Sequence, residues 1–262
     1  MKKNKLIGLL LLTLHNFCHA NLVGVNAGAS GDPNLQKYAM ENKLPMPDSG
    51  IQIAPETEMP NMNSRPVPAN FKIRSLEEER AEEKKLGYIN LPSEDAIQLL
   101  GVKKNRFYLS TKKIFIADNN PTDTHLKATL TQIKLAFPFN GITFIDKNNI
   151  IGYAVAGTWQ DGWAGVSEVF QDSGIGICSY VKHNLKITHG AAKLAREYVT
   201  YDVNSKSTII FAEGQKDQGF AYKVEWFDDT FFHTLKCASE KFSQEAKEST
   251  ILLAKRIDLD PQ

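Results

Sequence analysis

The chain has few cysteines and almost no net charge, and each shortage argues against a class of protein. Three cysteines in 262 residues exclude a disulfide-dense scaffold and a cysteine-rich zinc module. Because 31 Lys and Arg residues balance 30 Asp and Glu residues, there is no electrostatic reason to expect nucleic-acid binding, which usually needs a concentrated basic surface. A hydrophobic share of 42% is too low for several membrane spans but sufficient for one or two domains with a sizeable core.

Sequence motifs for catalysis and cofactor binding are also missing. The segment Gly165–Val169 contains only the first half of the Gly-x-Ser-x-Gly elbow of serine hydrolases. The glycine pair Gly174–Gly176 is not followed by a helix with Gly-Lys-Ser/Thr, so it is not a phosphate loop. His183 and His189 are six positions apart, which does not match the spacing of a helical metal site. We therefore predict neither a cofactor nor a metal ion.

An enzymatic alternative stays open at this stage. It is a secreted hydrolase or transferase acting on cell-wall or host material, with a site around the C-terminal aromatic residues and His183, His189 or His233. Cys178 paired with a histidine would be a thiol nucleophile. However, Cys178 lies in an apolar, strand-like context rather than at a helix N-terminus, where a thiolate is stabilised.

The first twenty residues have the pattern of a secretory signal peptide. A basic start, Met1–Lys5, precedes a nine-residue apolar run, Leu6–Leu14, and a small residue, Ala20. The apolar run is too short for a permanent span, which takes about 20 residues. We predict cleavage after Ala20, and we disfavour lipidation of Cys18 because Phe17, and not a small residue, precedes it. The mature protein is then periplasmic or secreted, and the two basic residues at the start favour a bacterial source.

Residues 21–73 form a proline-rich arm. They hold seven of the eleven prolines and only two aromatic residues, Tyr38 and Phe71. Such a composition buries too little apolar surface to offset the entropy of ordering, and the prolines prevent a long helix. We predict a disordered or extended arm, which is either a simple tether or a docking arm that binds a partner. In the second case its apolar side chains fill pockets on the partner: Leu44, Met46, Ile51, Ile53, Met59, Met62, Val67 and Phe71.

Two short helices and a linker are predicted for residues 74–104. Ser75 and Glu78 match a capping box at the start of the first helix, and Gly87 marks its end. Lysines fill its last turn, in agreement with the helix dipole. The second helix begins at Pro92–Glu94.

From residue 105 to residue 262 the chain reads as one α+β domain. Runs of antiparallel strands flanked by helices are typical of this class, so we predict a curved antiparallel β-meander sheet packed by helices on one face and preceded by the long arm. Glycines such as Gly152 and Gly157 predict bulges or strong curvature. The predicted strands are 106–110, 113–117, 142–145, 150–159, 163–170, 175–181, 207–213 and 220–227.

Three helices are predicted in the same domain. The first follows Asn120–Asp123 and has one apolar stripe that ends at Phe137. The second covers residues 191–198. The third begins after the capping sequence Asp228–Thr230, with Phe231, Leu235, Ala238 and Phe242 directed inward. Residues 250–257 are apolar and receive no assignment.

The sequence between Trp159 and Trp163 predicts a hairpin with a contact patch at its tip. Asp161–Gly162 between two β-like runs is a strong hairpin signal, because both turn positions need positive φ. Two exposed tryptophans there would form a rigid patch of the kind enriched at protein interfaces. With Gln160 and Asp161 as polar neighbours, the same rings would suit a glycan.

Cys178 and Cys237 are predicted to form a disulfide. They are the only thiols left after removal of Cys18, an even number in an oxidising compartment. Two separately buried thiols are the alternative, because the sequence does not show whether the two Cα atoms come close enough.

The sequence as a whole predicts a non-enzymatic exported protein of the bacterial envelope that serves as an accessory, protein-binding subunit. Its partners would be other envelope proteins bound by the arm, with Phe71 among the contacts, and by the Trp159–Trp163 hairpin. The layout is similar in outline to accessory subunits of bacterial envelope assemblies, including secretion-system cores, although no specific motif is shared. A hydrolase and a glycan- or lipid-binding module are the alternatives.

The predicted cleavage is testable by intact-mass measurement after cell fractionation. We expect a mature protein that begins at Asn21, because Ala20 is the small residue that precedes the cut. A species that still carries Met1, or one with a lipid on Cys18, would contradict the prediction.

Overall fold

A computed structural model describes residues 23–25, 50–58, 74–104, 129–159, 161–188 and 190–261. The strands predicted at 106–110 and 113–117, most of the arm, and the first part of the helix predicted after Asp123 lie outside these residues. The strands are β1 Val23–Val25, β2 Gly50–Ala54, β3 Ile150–Trp159, β4 Trp163–Asp172, β5 Gly176–Asn184, β6 Ala191–Ala195, β7 Thr208–Gln215, β8 Gly219–Phe227 and β9 Phe231–Ser239. The helices are α1 Leu76–Leu86, α2 Glu94–Lys104 and α3 Gln244–Leu259.

The capped helix α1 forms as predicted. The Ser75 hydroxyl oxygen accepts a hydrogen bond from the Glu78 backbone N–H (3.1 Å), and the Glu78 carboxylate accepts one from the Ser75 N–H (3.0 Å). Gly87 ends the helix at φ 84°, and its N–H donates to the Glu83 carbonyl. Helix α2 also begins where the sequence predicts, because the Ser93 hydroxyl accepts from the Ala96 N–H.

Six strands form one antiparallel sheet in the order β3-β4-β5-β9-β8-β7. This is two three-stranded meanders, β3-β4-β5 and β7-β8-β9, joined where β5 pairs with β9. The predicted α+β class is confirmed, as are the strands that became β3, β4, β5, β7 and β8. Strand β3 has register shifts around Gly152 and Gly157, where the glycines predicted irregularity.

The helix predicted after Thr230 is wrong, because this segment is strand β9. Asp228 does not cap a helix. Its carboxylate accepts from the N–H groups of Thr230 and Phe231 within the turn between β8 and β9. The four-residue spacing of Phe231 and Leu235 suggested a helix, but a run of aromatic and β-branched residues also suits a strand, and pairing with β5 and β8 decides the outcome.

Other local predictions are also corrected. Residues 191–198 are not a helix but strand β6 followed by a short 3₁₀ turn. The end of the predicted helix, residues 130–137, is a 3₁₀ turn and an extended segment that bridges Trp163. Residues 142–145 are not a strand but lie in turns. The unassigned residues 250–257 belong to α3.

The two faces of the sheet carry different layers. Alternate residues of β8, Tyr222, Val224 and Trp226, face the core that α3 covers. On the opposite face, α2 packs its leucines Leu99 and Leu100 against β5 and β9. The structure therefore adds a helix on the second face to the single helical layer that the sequence predicted.

A second, three-stranded sheet includes two segments of the arm. Strand β6 lies in the middle, with β1 antiparallel on one side and β2 parallel on the other. Ile51 and Ile53 of β2 pack against an apolar cluster of the domain, which contains Leu185, Leu194, Ile209, Phe211, Phe227 and Phe232. The two arm segments that form β1 and β2 are thus extended, as predicted, whereas Glu56–Glu58 form a 3₁₀ turn, and β2 is docked on the domain.

The predicted disulfide between Cys178 and Cys237 is present. The two residues are register partners on β5 and β9, their Cα atoms are 4.0 Å apart, and both are fully buried. Cys237 reaches this position from a strand and not from the predicted helix. The bond joins the two meanders at their shared boundary.

Reduction of this disulfide should lower the free energy of unfolding by about 4 kcal/mol, because the bond closes a loop of about 60 residues in the unfolded chain. The measurement is urea unfolding of the mature protein with and without reductant, and of the double variant Cys178→Ala/Cys237→Ala. The double variant serves as the control, since reductant should leave its midpoint unchanged. Equal midpoints for the oxidised and reduced wild-type protein would contradict the prediction.

Candidate functional site

The Trp159–Trp163 hairpin has the predicted turn. Asp161 and Gly162 both have positive φ, at 55° and 158°, and the two tryptophans are cross-strand partners. Their rings meet edge to face, with centroids 5.6 Å apart and planes at 78°. Gln160 lies outside the described residues.

The tryptophan pair is supported by a neighbouring segment and is only half-exposed. The Trp163 backbone N–H donates to the Lys134 carbonyl (2.8 Å), and the Ala136 backbone N–H donates to the Trp163 carbonyl (3.0 Å). The Trp163 ring packs with Ile133 and Leu135, and the Lys134 ammonium lies 5.5 Å from the centre of the Trp159 ring. The hairpin is therefore packed against this neighbouring segment and is not a free loop tip.

His233 is a buried histidine with a partner at each ring nitrogen. Its Nδ1 lies 2.8 Å from the Tyr180 hydroxyl, and its Nε2 lies 3.2 Å from the Asp228 carboxylate. The rings of Tyr180, Trp226 and His233 are stacked. Burial lowers the pKa of His233 although Asp228 opposes the change. These contacts describe a structural residue of the core.

The polar network continues from His233 to the edge of the sheet. Burial opposes ionisation of Asp228, but hydrogen bonds from His233 and from two backbone N–H groups outweigh it, so the pKa of this carboxyl lies well below its usual range. Lys206 lies 3.7 Å from Asp228 and 2.6 Å from Asp258. Asp258 also accepts a hydrogen bond from the Trp226 indole (2.8 Å). This network fixes the C-terminal end of α3 to the sheet.

His183 lies on the other face of the sheet from His233. It pairs with Phe232, whereas His233 pairs with Lys182, and neighbouring residues of a strand point to opposite faces. Burial lowers the pKa of His183 to about 4, and its ring occupies space beside Gly157. The two histidines therefore do not converge, and Cys178 is bound in the disulfide. His189 lies outside the described residues.

Glu168 is an unusual group that the sequence reasoning missed. Its side chain is fully buried on β4, where Oε2 accepts from the Ile142 N–H (3.0 Å) and the carboxyl group interacts with the Tyr153 side chain. Its Oε1 has no hydrogen-bond partner among the described residues. Burial raises the pKa of Glu168 to about 7 and that of Tyr153 to about 12. The sequence did contain a signal for its burial. Glu168 alternates along the strand with the apolar residues Val166 and Phe170, so all three side chains point to the same, inward face.

Glu168 lies beneath the loop that precedes β3. This loop is also hydrogen-bonded to the residue that follows α3. Ile142 of this loop donates to Glu168, and the next residue, Thr143, donates from its N–H to the Asp260 carboxylate (2.8 Å) and also from its hydroxyl. Asp260 is the residue that follows α3. The loop is thus hydrogen-bonded to two carboxyl groups, the buried one of Glu168 and the half-buried one of Asp260.

Two kinds of site are not found in the part of the chain that the structure describes. There, no group of three or more His, Cys, Asp or Glu side chains is placed to hold a metal ion. The helices of the same part do not combine the length and the apolar character that crossing a membrane requires. Comparison of the chain with protein-family models, curated proteins and solved structures gives no significant match.

Replacement of Glu168 by Gln should change how stability depends on pH. Because the folded-state pKa of Glu168 is raised from 4.5 to about 7, the folded protein resists ionisation of this group, so the contribution of Glu168 to stability is complete below about pH 4.5 and is lost as the pH rises through 7. The loss is about 3 kcal/mol at most. We expect Glu168→Gln to lack it, as measured by denaturant unfolding at pH 5 and pH 8.

The exposed Glu245 supplies a matched control, since Glu245→Gln should keep the wild-type pH dependence. If the free energy of unfolding changes by the same amount between pH 5 and pH 8 in the wild type and in Glu168→Gln, the prediction is wrong.

Proposed function

We propose that the mature chain is a non-enzymatic protein of the bacterial envelope that binds other proteins as an accessory subunit of an assembly. The arm and the Trp159–Trp163 hairpin are its contact regions. The observation that carries the proposal is the way in which the arm joins the domain through β2.

Strand β2 is a short strand at the edge of the small sheet in the part of the chain that the structure describes. It pairs with β6 along Gly50–Ala54, and no other strand pairs with it among the described residues. A strand edge with unpaired N–H and C=O groups is a ready template for a strand from another chain. Addition of a partner strand here would extend the small sheet without any change in the six-stranded sheet.

The docking of β2 also divides the apolar residues of the arm into two groups. Ile51 and Ile53 are used within the molecule, where they pack against the apolar cluster of the domain. We therefore do not include Ile51 and Ile53 among the arm residues that we propose to contact a partner. The other residues lie on both sides of β2 in the sequence and remain the proposed anchors: Leu44, Met46, Met59, Met62, Val67 and Phe71.

The disulfide agrees with the proposed location. A buried cystine indicates a non-cytoplasmic protein, because cytoplasmic thiols are kept reduced. Cleavage after Ala20 and a periplasmic or secreted destination are the finer parts of the proposal, and the pattern of the first twenty residues supports them.

The hairpin favours a protein partner over a glycan. Stacking on a sugar needs a flat, accessible ring, but the two rings stand at 78° to each other and are half-buried. An edge-to-face aromatic pair with a lysine beside it suits the mixed surface of a protein interface. Within the proposal the hairpin is therefore a second protein contact.

The arm hypothesis is tested by affinity capture from envelope fractions with the tagged mature protein. The arm variant replaces Leu44, Met46, Met59, Met62, Val67 and Phe71 by Ser and keeps β2 intact. We expect capture of partners to fall about tenfold or more, since each lost apolar contact is worth about 1 kcal/mol or more.

The control is Ile97→Ser, which removes an exposed apolar side chain of α2. It should capture the wild-type set of partners, and both variants should unfold at the wild-type temperature. Retention of every partner by the arm variant would overturn the proposed role of the arm.

A further inference from the structure

Helix α3 presents an exposed stripe that combines leucines with charges of both signs. We propose that two copies of this protein associate through these stripes, with their α3 helices antiparallel and Leu252 at the two-fold axis. The proposal is separate from the binding of envelope proteins by the arm. The outer stripe consists of Glu245, Glu248, Leu252, Arg256 and Leu259.

The two leucines are unusually accessible for the outer face of a helix. Leu252 is 59% exposed and Leu259 is 74% exposed, whereas the inward face of α3, with Ala246, Leu253 and Ile257, is buried against the sheet. Seven residues are about two helical turns, so the leucines stand about 10 Å apart along one line. The outer face of a surface helix carries mostly charged and polar residues.

The order of the charges selects one arrangement of two such helices. Glu248 is four residues before Leu252, and Arg256 is four residues after it. In an antiparallel pair centred on Leu252, each Glu248 faces the Arg256 of the other copy, so the same ion pair forms twice. A parallel pair would place like charges opposite each other. The stripe is thus self-complementary, as a two-fold interface requires.

The antiparallel pair also accommodates both leucines. The two Leu252 side chains meet at the axis, and Leu259 lies opposite Glu245, whose methylene groups offer apolar contact. Each leucine loses exposed surface in this arrangement, which favours association.

The structure already holds the charged groups of the stripe in place. The Arg256 guanidinium lies 4.1 Å from the centre of the Phe144 ring, and the Glu248 carboxylate accepts a hydrogen bond from Gln244 (3.1 Å). A stacked guanidinium loses less conformational freedom when it binds a carboxylate. Fixing these side chains before association lowers its entropic cost.

Two charged residues beside the stripe are engaged within the molecule. Lys247 lies 2.7 Å from Glu83 of α1, and Asp258 is paired with Lys206. These two side chains are therefore not needed for contacts with a second copy. An interface of one helix pair is smaller than the standard size for stable complexes, so the dimer forms in a concentration-dependent manner.

The test is sedimentation equilibrium of the mature protein from about 10 µM to about 1 mM, the range that a small interface requires. We expect a monomer–dimer equilibrium in the wild type. Glu248→Arg alone and Arg256→Glu alone should each raise the dimer dissociation constant about tenfold, because two attractive pairs become repulsive. The double variant Glu248→Arg/Arg256→Glu should return to within about threefold of wild type, since the pairs are re-formed with reversed sign.

Two further variants separate the stripe from general surface effects. Leu252→Asp should abolish the dimer, and Ile97→Asp, which alters an exposed apolar residue of α2, should leave it unchanged. Thermal unfolding of each variant shows that it is folded. A wild-type protein that is monomeric at all concentrations overturns the inference, and so does a dimer that the double variant fails to restore. Loss of envelope partners by the arm variant has no bearing on either outcome.

Discussion

The pairing of β5 with β9 holds together two meanders that are separate in the sequence. Cys178 and Cys237 lie in register at this pairing and are joined 59 residues apart in the chain. In the six-stranded sheet, β3 and β4 lie on the side of β5, and β7 and β8 lie on the side of β9. The order of the whole sheet therefore depends on the pairing of β5 with β9. A bond between neighbouring strands also removes conformations from the unfolded chain that would leave the meanders apart.

When the six strands are paired, the two faces of the sheet are covered by different elements. The face with Tyr180, Trp226 and His233 is covered by α3 and tied to it through Asp258. The opposite face receives the small sheet that includes β2, together with α2. Because adjacent strand residues alternate between faces, His183 and His233 are divided between these environments although they lie on neighbouring strands. The same alternation that builds the core thus prevents their use in one site.

The proposed contact regions lie at the margins of this framework. The arm reaches the domain through β2, the hairpin with Trp159 ends the first meander, and the outer stripe runs along α3. Each proposed region adjoins a strand or helix of the domain, so a partner would bind without unfolding the core. Glu168 is different, because it lies inside the framework and accepts a buried hydrogen bond from Ile142, in the loop that precedes β3. Its ionisation bears on stability and not on a contact surface.

The sequence by itself determined the features that depend on neighbouring residues. The Ser75–Glu78 capping box, the Asp161–Gly162 turn and most strands of the meanders follow from local propensity and alternation, and two remaining thiols made the disulfide a reasonable prediction. Tertiary structure alone decided that Phe231–Ser239 is a strand, since its aromatic spacing also fits a helix and only pairing with β5 and β8 distinguishes them. It also decided that Ala191–Ala195 lies between two arm segments, and that Glu168 is buried beside Tyr153. These contacts join residues far apart in the chain, and local sequence patterns carry no information about which distant segment supplies the partner.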